Sequence, residues 1–170
     1  EASLEDGDIV LMKTDIKDGF WQMVCAEDFE WNFAYVLPSL PGQLVEIMVT
    51  SALQMGWTLS PPFFCAASEI ARDIAASYVS EPIESIPPHP MEHLTMLNVE
   101  VALSNLQNAS GKSGVQFLQL LDVYVDDFIQ LVQSSDPVVL HHCSRALLHG
   151  IHSVFPLPAI TGHNRQDHIS

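Results

Sequence analysis

The sequence predicts an α+β fold in which helices cover one face of an antiparallel sheet. Short apolar runs that end at turn residues predict strands, and longer segments with apolar residues at helical spacing predict helices. Two of the strands lie within residues 118–133 and flank a short acidic turn, so they predict a hairpin with antiparallel strands. A chain of 170 residues that is 48% apolar is long enough for one domain with a hydrophobic core.

The first predicted strand leads to an acid. Residues 9–12 are apolar and typical of a buried strand, which continues towards Asp15. An acid at the end of a buried strand, followed by a glycine-containing turn, is a common position for chemistry, although the same residue would also serve as a helix N-cap. Residues 31–37 are aromatic and β-branched and predict a second strand, and residues 44–49 predict a third.

Two helices have strong N-terminal signals. Ser60 followed by two prolines predicts an N-cap and a first turn, and this helix ends before Pro82. Asp136 followed by Pro137 predicts the same arrangement for a later helix, which ends at the prolines of residues 156–158. The apolar stripe of the first helix is predicted to comprise Phe63, Ala66, Ala67, Ile70, Ala71, Ile74, Ala75 and Tyr78. The buried face of the later helix is predicted to comprise Leu140, Cys143, Leu147 and Ile151.

The region between these helices is less regular. Residues 80–91 contain four prolines and predict a linker-like loop. Residues 92–107 predict a further helix, and residues 108–114 predict a polar turn.

The acidic turn of the hairpin is the most informative feature of the chain. It consists of Tyr124-Val125-Asp126-Asp127, in which two adjacent carboxylates lie between two apolar strands. Like charges in contact repel, so one of the acids would take up a proton unless a cation compensates for the charge. A divalent ion such as Mg²⁺ is the simplest compensation, because it prefers carboxylate oxygens together with substrate phosphates. The alternative is a surface hairpin with acids at its tip, since Asp is common in turns.

The charge balance bears on the class of partner. The chain has 21 acidic and 6 basic residues and a net charge of −15, which is the wrong sign for a protein that binds nucleic acid by itself. A nucleic-acid partner would therefore need basic surfaces outside this chain. The chain begins with Glu1 rather than Met and stops at Ser170 without a closing element, so we expect it to be a piece of a longer protein.

The cysteines and the hydropathy pattern predict an intracellular protein. Cys25, Cys65 and Cys143 are odd in number and widely separated, which favours reduced thiols over a disulfide framework. No run reaches transmembrane length and no signal peptide is visible.

Other candidate ligands are weaker. His141, His142 and Cys143, with His149 and His152, raise the alternative of a zinc site. They lie along one predicted helix, whereas a structural zinc site usually takes paired ligands from two elements, so packed or solvated histidines are the prediction. Asp122 shares the strand phase of Asp126 and is predicted to face solvent or to pair with a neighbour.

Three short motifs follow one another along the chain. Residues 15–22, DIKDGFWQ, place an aromatic residue five positions after an acid. Residues 53–64 place a glycine before a Ser-Pro pair and an aromatic residue, and residues 124–127 are Tyr-Val-Asp-Asp. In this order, and in their strand, helix and hairpin contexts, the motifs resemble those of the reverse transcriptases of retroviruses and long-terminal-repeat retrotransposons. The resemblance covers about residues 8–155, which correspond to the polymerase palm.

The resemblance implies an RNA-directed DNA polymerase, a nucleotidyltransferase that joins a primer 3′-oxygen to the α-phosphorus of a deoxynucleotide. Asp15 and Asp126 would be the main ligands of two Mg²⁺ ions, with Mn²⁺ as an alternative, and Asp127 would be the third carboxylate. The implied substrate-binding residues are Phe20 against the sugar, Asp18 and Gly19 beside the sugar pocket, Met55 and Gly56 under the nucleotide, and Tyr124 near the primer end.

The resemblance also implies that residues 1–170 are a partial reverse transcriptase domain. The fingers would precede residue 1, and the thumb and any ribonuclease H domain would follow residue 170. The implied partners are an RNA or DNA template-primer, deoxynucleotides and the other domains of a polyprotein, in the cytoplasm, the nucleus or a retroelement particle and without a membrane.

Two departures from the family pattern leave alternatives open. Met55 stands where retroviral enzymes carry a glutamine, and residues 80–114 have no counterpart in the family pattern. One alternative is an inactive retroelement remnant or interaction module that keeps the fold. Another is a metal-dependent phosphohydrolase that uses the same carboxylates.

Overall fold

A three-stranded antiparallel sheet forms the centre of the protein. The computed structural model describes residues 8–94, 117–155 and 157. Within this part of the chain the strands are β1 (Ile9–Asp15), β2 (Tyr35–Val36), β3 (Ile47–Met48), β4 (Gln119–Tyr124) and β5 (Asp127–Gln133). The central sheet has the order β1-β5-β4, and β2 and β3 form a separate two-stranded hairpin. The predicted hairpin of residues 118–133 is confirmed as β4 and β5.

The helices pack on one face of the sheet. Two α-helices are present in the described residues, α1 (Ser60–Val79) and α2 (Pro137–Val154). Phe128 of β5 is fully buried in one core cluster with residues of both helices, and Val132 is buried in a second. The opposite face carries exposed apolar residues, among them Leu11 of β1 and Leu120 of β4. This arrangement confirms the α+β fold class.

The start of α2 follows the sequence prediction closely. Asp136 is the N-cap and accepts a hydrogen bond from the Val138 amide at 2.9 Å, and Pro137 is the first helical residue. An aspartate cap satisfies an amide that has no partner within the helix. The predicted face of Leu140, Cys143, Leu147 and Ile151 is buried.

Two predictions for α1 are wrong in detail. Ser60 is the first helical residue rather than the cap, and its hydroxyl donates to the Gln54 carbonyl at 2.7 Å. The predicted apolar stripe is only partly correct, because Ala71 and Ala75 are buried but Phe63 and Ile70 are exposed. The buried line instead consists of Ser60, Phe64, Ser68, Ala71, Ala75 and Val79. Ala71 and Ala75 on this line are small where Gly150 of α2 approaches α1 closely.

The strands predicted near residues 31–37 and 44–49 are mostly absent. Residues Glu27–Phe33 form a 3-10 helix with three acids in its first turn, where they interact favourably with the helix dipole. Only the two-residue strands β2 and β3 remain, and they pair with each other. Phe33 is buried against the edge of the Trp57 ring, with 5.1 Å between ring centroids. Packing of this aromatic residue therefore overrides the local strand propensity.

Residues 80–94 do not behave as a linker. They contain two short 3-10 helices, Ile83–Ser85 and Glu92–Leu94, and bury Ile86, His89 and Met91. The prediction of a linker-like loop is therefore wrong, because apolar and histidine side chains between the prolines attach this segment to α2. The helix predicted for residues 92–107 and the turn predicted for residues 108–114 lie outside the described residues except for residues 92–94. Among the described helices, none is sufficiently long and apolar to cross a membrane.

Candidate metal centre

Three aspartates converge at one end of the sheet. Asp15 is the last residue of β1 and lies opposite Asp127, the first residue of β5, while Asp126 lies in the β4–β5 turn. One carboxylate oxygen of each residue lies within 4.8 Å of the others. The structure therefore brings together Asp15 and Asp126, which belong to two separate sequence motifs.

The backbone around the turn holds these acids in place. The Ile16 amide donates to the Asp126 carbonyl at 3.2 Å, which ties the end of β1 to the hairpin tip. Val125, the first residue of the two-residue turn, has a φ of 60°. Glycine is usual at such a position, and a β-branched residue there is strained. The partly buried Val125 side chain packs on the core, so tertiary contacts keep the turn in this conformation, as is common at functional sites.

A lysine partly compensates for the negative charge. The Lys13 Nζ atom lies 2.9 Å from the Asp127 carboxylate. The hydrogen bond to Asp127, followed by the charge of that carboxylate, raises the pKa of Lys13. Lys13 lies outside the three sequence motifs, although its position two residues before Asp15 places both side chains on the same face of β1.

The donor set fits a hard divalent ion. All three aspartates are half-buried and each offers a carboxylate oxygen, the ligand type that Mg²⁺ and Mn²⁺ prefer. Mg²⁺ usually takes one or two carboxylates and completes its coordination with water and substrate phosphates. The open face of the sheet leaves room for such ligands.

Two of the predicted substrate-binding residues are held by the core. Phe20 packs against Phe64 of α1, with the rings tilted and 4.8 Å between their centroids. Gly19 is buried, and a Cβ atom there would lie 2.6 Å from the Phe64 ring. A packing contact thus explains the glycine, and the predicted contact of Phe20 with a sugar remains a prediction. Asp18 precedes this turn, is exposed and has a φ of 55°.

The remaining predicted residues lie on the surface. Tyr124 is exposed and pairs in register with Asp127, so it borders the three acids. Met55 is exposed and Gly56 has a φ of 97°, in the loop that precedes α1. The amide of Leu53 donates to the Met23 carbonyl at 2.9 Å, which connects this loop to the segment that follows Phe20. The predicted contacts of these residues with a nucleotide or a primer remain predictions.

Asp122 is separate from the three acids. It is exposed, and its carboxylate lies 3.6 Å from the Arg72 guanidinium. The prediction that it faces solvent or pairs with a neighbour is confirmed.

The histidines of α2 behave as packed residues. His141, His142 and Cys143 are buried, and burial raises the pKa of the Cys143 thiol to about 12. In the part of the chain that the structure describes, the three aspartates form the one close group of three or more potential metal ligands.

The three cysteines, all within the described residues, are free thiols, as expected.

The comparisons with known proteins give no family. No model of a known protein family matches the chain, and no curated protein matches it. A functional interpretation therefore depends on the residues and on their geometry.

Proposed function

We propose that this chain is the palm portion of an RNA-directed DNA polymerase of a retrovirus-like or long-terminal-repeat element. The observation that carries the proposal is the convergence of Asp15, Asp126 and Asp127 within 4.8 Å. These are the acids of two separate sequence motifs, and the fold brings them together at the end of the sheet where β1 ends and the β4–β5 turn lies. A surface hairpin with acids at its tip would not require an acid at the end of β1.

The three acids would hold the divalent ions and the substrate. Asp15 and Asp126 are the proposed main ligands, and Asp127 contributes the third carboxylate. When bound, two metal ions stabilise the attacking and the leaving oxygens of an in-line displacement at phosphorus. In this reaction the 3′-oxygen of a primer forms a bond to the α-phosphorus of a deoxynucleotide, and pyrophosphate leaves. The rigid turn at Val125 would fix Asp126 relative to Asp15, which reduces the cost of ordering the site.

Phe20 is the proposed steric gate against a ribose 2′-hydroxyl. Its contact with Phe64 would hold the ring in one position, as discrimination by shape requires. Tyr124, which borders the acids from β4, would lie near the primer end.

The proposal is tested by the binding of Mn²⁺ to the 170-residue chain, followed by calorimetry or by electron paramagnetic resonance. Loss of a group that only orients a metal ligand costs about 10- to 100-fold in affinity. We therefore expect Asp126→Asn to weaken Mn²⁺ binding by at least about tenfold, because it removes a ligand itself. Asp122→Asn is the matched control, since it makes the same charge change on the same sheet, outside the three acids.

The control decides the outcome. If Asp122→Asn weakens binding as much as Asp126→Asn, the ion is attracted by diffuse negative charge and the site assignment is wrong. In a longer, active protein, activity that requires template, primer and deoxynucleotide together separates a polymerase from a phosphohydrolase, which needs no template.

A further inference from the structure

The surface that joins residues 80–94 to α2 is rich in histidine. We call residues 80–94 the proline-rich segment and the contact between His89 and His152 the histidine clamp. The clamp joins His89 of the segment to His152 of α2, with 2.9 Å between Nε2 and Nδ1. A third ring, His149 of α2, meets His89 edge-on and donates from Nε2 to the Pro87 carbonyl at 2.8 Å.

The hydrogen bonds of the clamp fix where its protons lie. The Met91 amide donates to His89 Nδ1 at 3.1 Å, so this nitrogen carries no proton. Neutral His89 therefore carries its proton on Nε2 and donates it to His152 Nδ1. An added proton on His89 Nδ1 would face the Met91 amide, and an added proton on His152 Nδ1 would face His89 Nε2–H. Either protonation therefore replaces a hydrogen bond by two opposed donors.

The other contacts of the segment with α2 tolerate acid better. Arg145 donates to the Ile86 carbonyl at 3.0 Å and to the Glu92 carboxylate at 3.3 Å. Burial favours the neutral form of Glu92, but the His89 amide and the Arg145 guanidinium outweigh it and lower the pKa of Glu92. Just before the segment, at the end of α1, the Val79 carbonyl accepts a hydrogen bond from His142, and a protonated ring can still donate this bond, although burial lowers the pKa of His142.

Few anions face the clamp to compensate for an added charge. The charge of Glu92 favours the protonated form of His89, but Arg145 already pairs with Glu92. The titratable and charged groups that surround the clamp on α1, on the proline-rich segment and on α2 are Tyr78, Glu81, Glu84, Glu92, His93, His141, His142, Arg145 and His149. A second imidazolium in this group would therefore be repelled by the first and by the guanidinium.

The pKa values of His89 and His152 are shifted in the direction that this geometry predicts. Burial, followed by the neighbouring His152 and His149, lowers the pKa of His89 to about 4. Burial also lowers the pKa of His152, against an opposing hydrogen bond to Leu148. A histidine whose pKa is below its free value near 6.5 stabilises the attached state fully above pH 6.5. That contribution is lost as the pH falls towards about 4.

We propose that the histidine clamp is an acid-sensitive latch. At neutral pH it holds the proline-rich segment on α2, and protonation of His89 and His152 releases that segment while the sheet and both helices stay folded. This inference does not depend on the proposed polymerase function, because it uses none of the residues near the three aspartates.

Hydrogen exchange on the 170-residue chain tests the latch. The reporters are the Met91 amide and the peptide of residues 83–93, corrected for the intrinsic effect of pH on exchange. One histidine with a pKa of about 4 attached and 6.5 released makes opening roughly 30-fold more favourable at about pH 5 than at about pH 7.5. We expect protection of the segment to fall by about that factor, while the amides of β5 keep theirs.

The variants separate the latch from general acid sensitivity. In the double variant His89→Gln and His152→Gln, glutamine can still donate and accept but does not titrate, so the pH dependence of protection should be much smaller than in the wild type, with a remainder from the buried His141 and His142. If the segment of the double variant is already released at neutral pH, His152→Gln alone is used instead. This single variant should reduce the pH dependence of protection. His93→Gln is the matched control on the exposed side of the segment and should keep the full dependence. The latch is refuted if wild-type protection does not change with pH, if β5 loses protection in parallel, or if the glutamine variants keep the dependence.

Discussion

Single residues explain how the three acids come together. Asp15 ends β1 and Asp127 begins β5, so antiparallel pairing alone places them opposite each other. The sequence could predict this because each acid stands next to an apolar strand. It could not predict the contact of Lys13 with Asp127, because strand phase gives the face of a side chain but not the partner of a long, flexible one. The sequence also could not predict that Gly19 packs under Phe64, since the two residues are distant in the chain.

The Lys13 ion pair leads to a prediction about metal affinity. Lys13→Met removes a cation that competes with a metal for Asp127, so the variant should bind Mn²⁺ more tightly. The ion pair is exposed on the lysine side, so we expect an effect of about two- to fivefold at low salt, reduced by added salt. Calorimetric titration of both proteins measures it.

The same titration in the Asp127→Asn background provides the test of mechanism. There the effect of Lys13→Met should become smaller, because its hydrogen-bonded partner is gone and only its weaker charge interactions with Asp15 and Asp126 remain. Arg72→Met is the matched control, since it removes one positive charge from an ion pair outside the three acids and should leave Mn²⁺ affinity nearly unchanged. Weaker binding to Lys13→Met would show that the lysine supports the metal site rather than competing at it.

For the secondary-structure elements, the sequence predicted where the helices lie better than which of their residues are buried. The N-terminal signal of α2 was correct because Asp136 and Pro137 act locally, and its predicted face is buried because most of this helix is buried. In α1 apolar residues occur on several sides, with Phe63 and Phe64 adjacent, so hydropathy does not determine the phase. The contact with α2 determines it, and that contact requires small residues on both helices. The anchoring of the proline-rich segment depends on contacts between residues about 60 positions apart, which no local pattern reveals.

Gly150 is the residue on which the helix contact depends. A Cβ atom at this position would lie 2.5 Å from the Ala75 Cβ atom and 2.6 Å from the Ala71 carbonyl oxygen. A backbone oxygen cannot move aside as a flexible side chain can, so Gly150→Ala must shift one helix. We expect a loss of about 1–3 kcal/mol in the free energy of unfolding, despite the better helix propensity of alanine.

Chemical denaturation of both proteins measures this change. Ser153→Ala, on the exposed side of the same helix, is the control and should stay within about 0.5 kcal/mol of the wild type. An unchanged or higher stability of Gly150→Ala would mean that the helices lie farther apart than described.

At the scale of the whole molecule, charge opposes binding of a nucleic acid. The net charge is −15, and the chain has only six basic residues. Three of them, Lys13, Arg72 and Arg145, already form ion pairs with acids. A protein that binds the phosphate backbone needs unpaired cations, because affinity comes largely from the release of counterions from the nucleic acid. We therefore expect the surface that would hold a template-primer to lie outside these 170 residues.

Metal binding and primer extension should therefore be separable in the isolated chain. The isolated chain should bind Mn²⁺ at the three aspartates but should not extend a primer, because net negative charge repels the template-primer more strongly than one occupied metal site attracts it. Primer-extension assays with template, primer and deoxynucleotides, made alongside the Mn²⁺ titration, measure both properties on one preparation. Fusion of the chain to a basic nucleic-acid-binding domain is the informative comparison, since it restores the missing attraction without altering the acids. Robust incorporation by the isolated chain would show that charge does not limit it, whereas absence of both metal binding and incorporation would contradict the polymerase proposal itself.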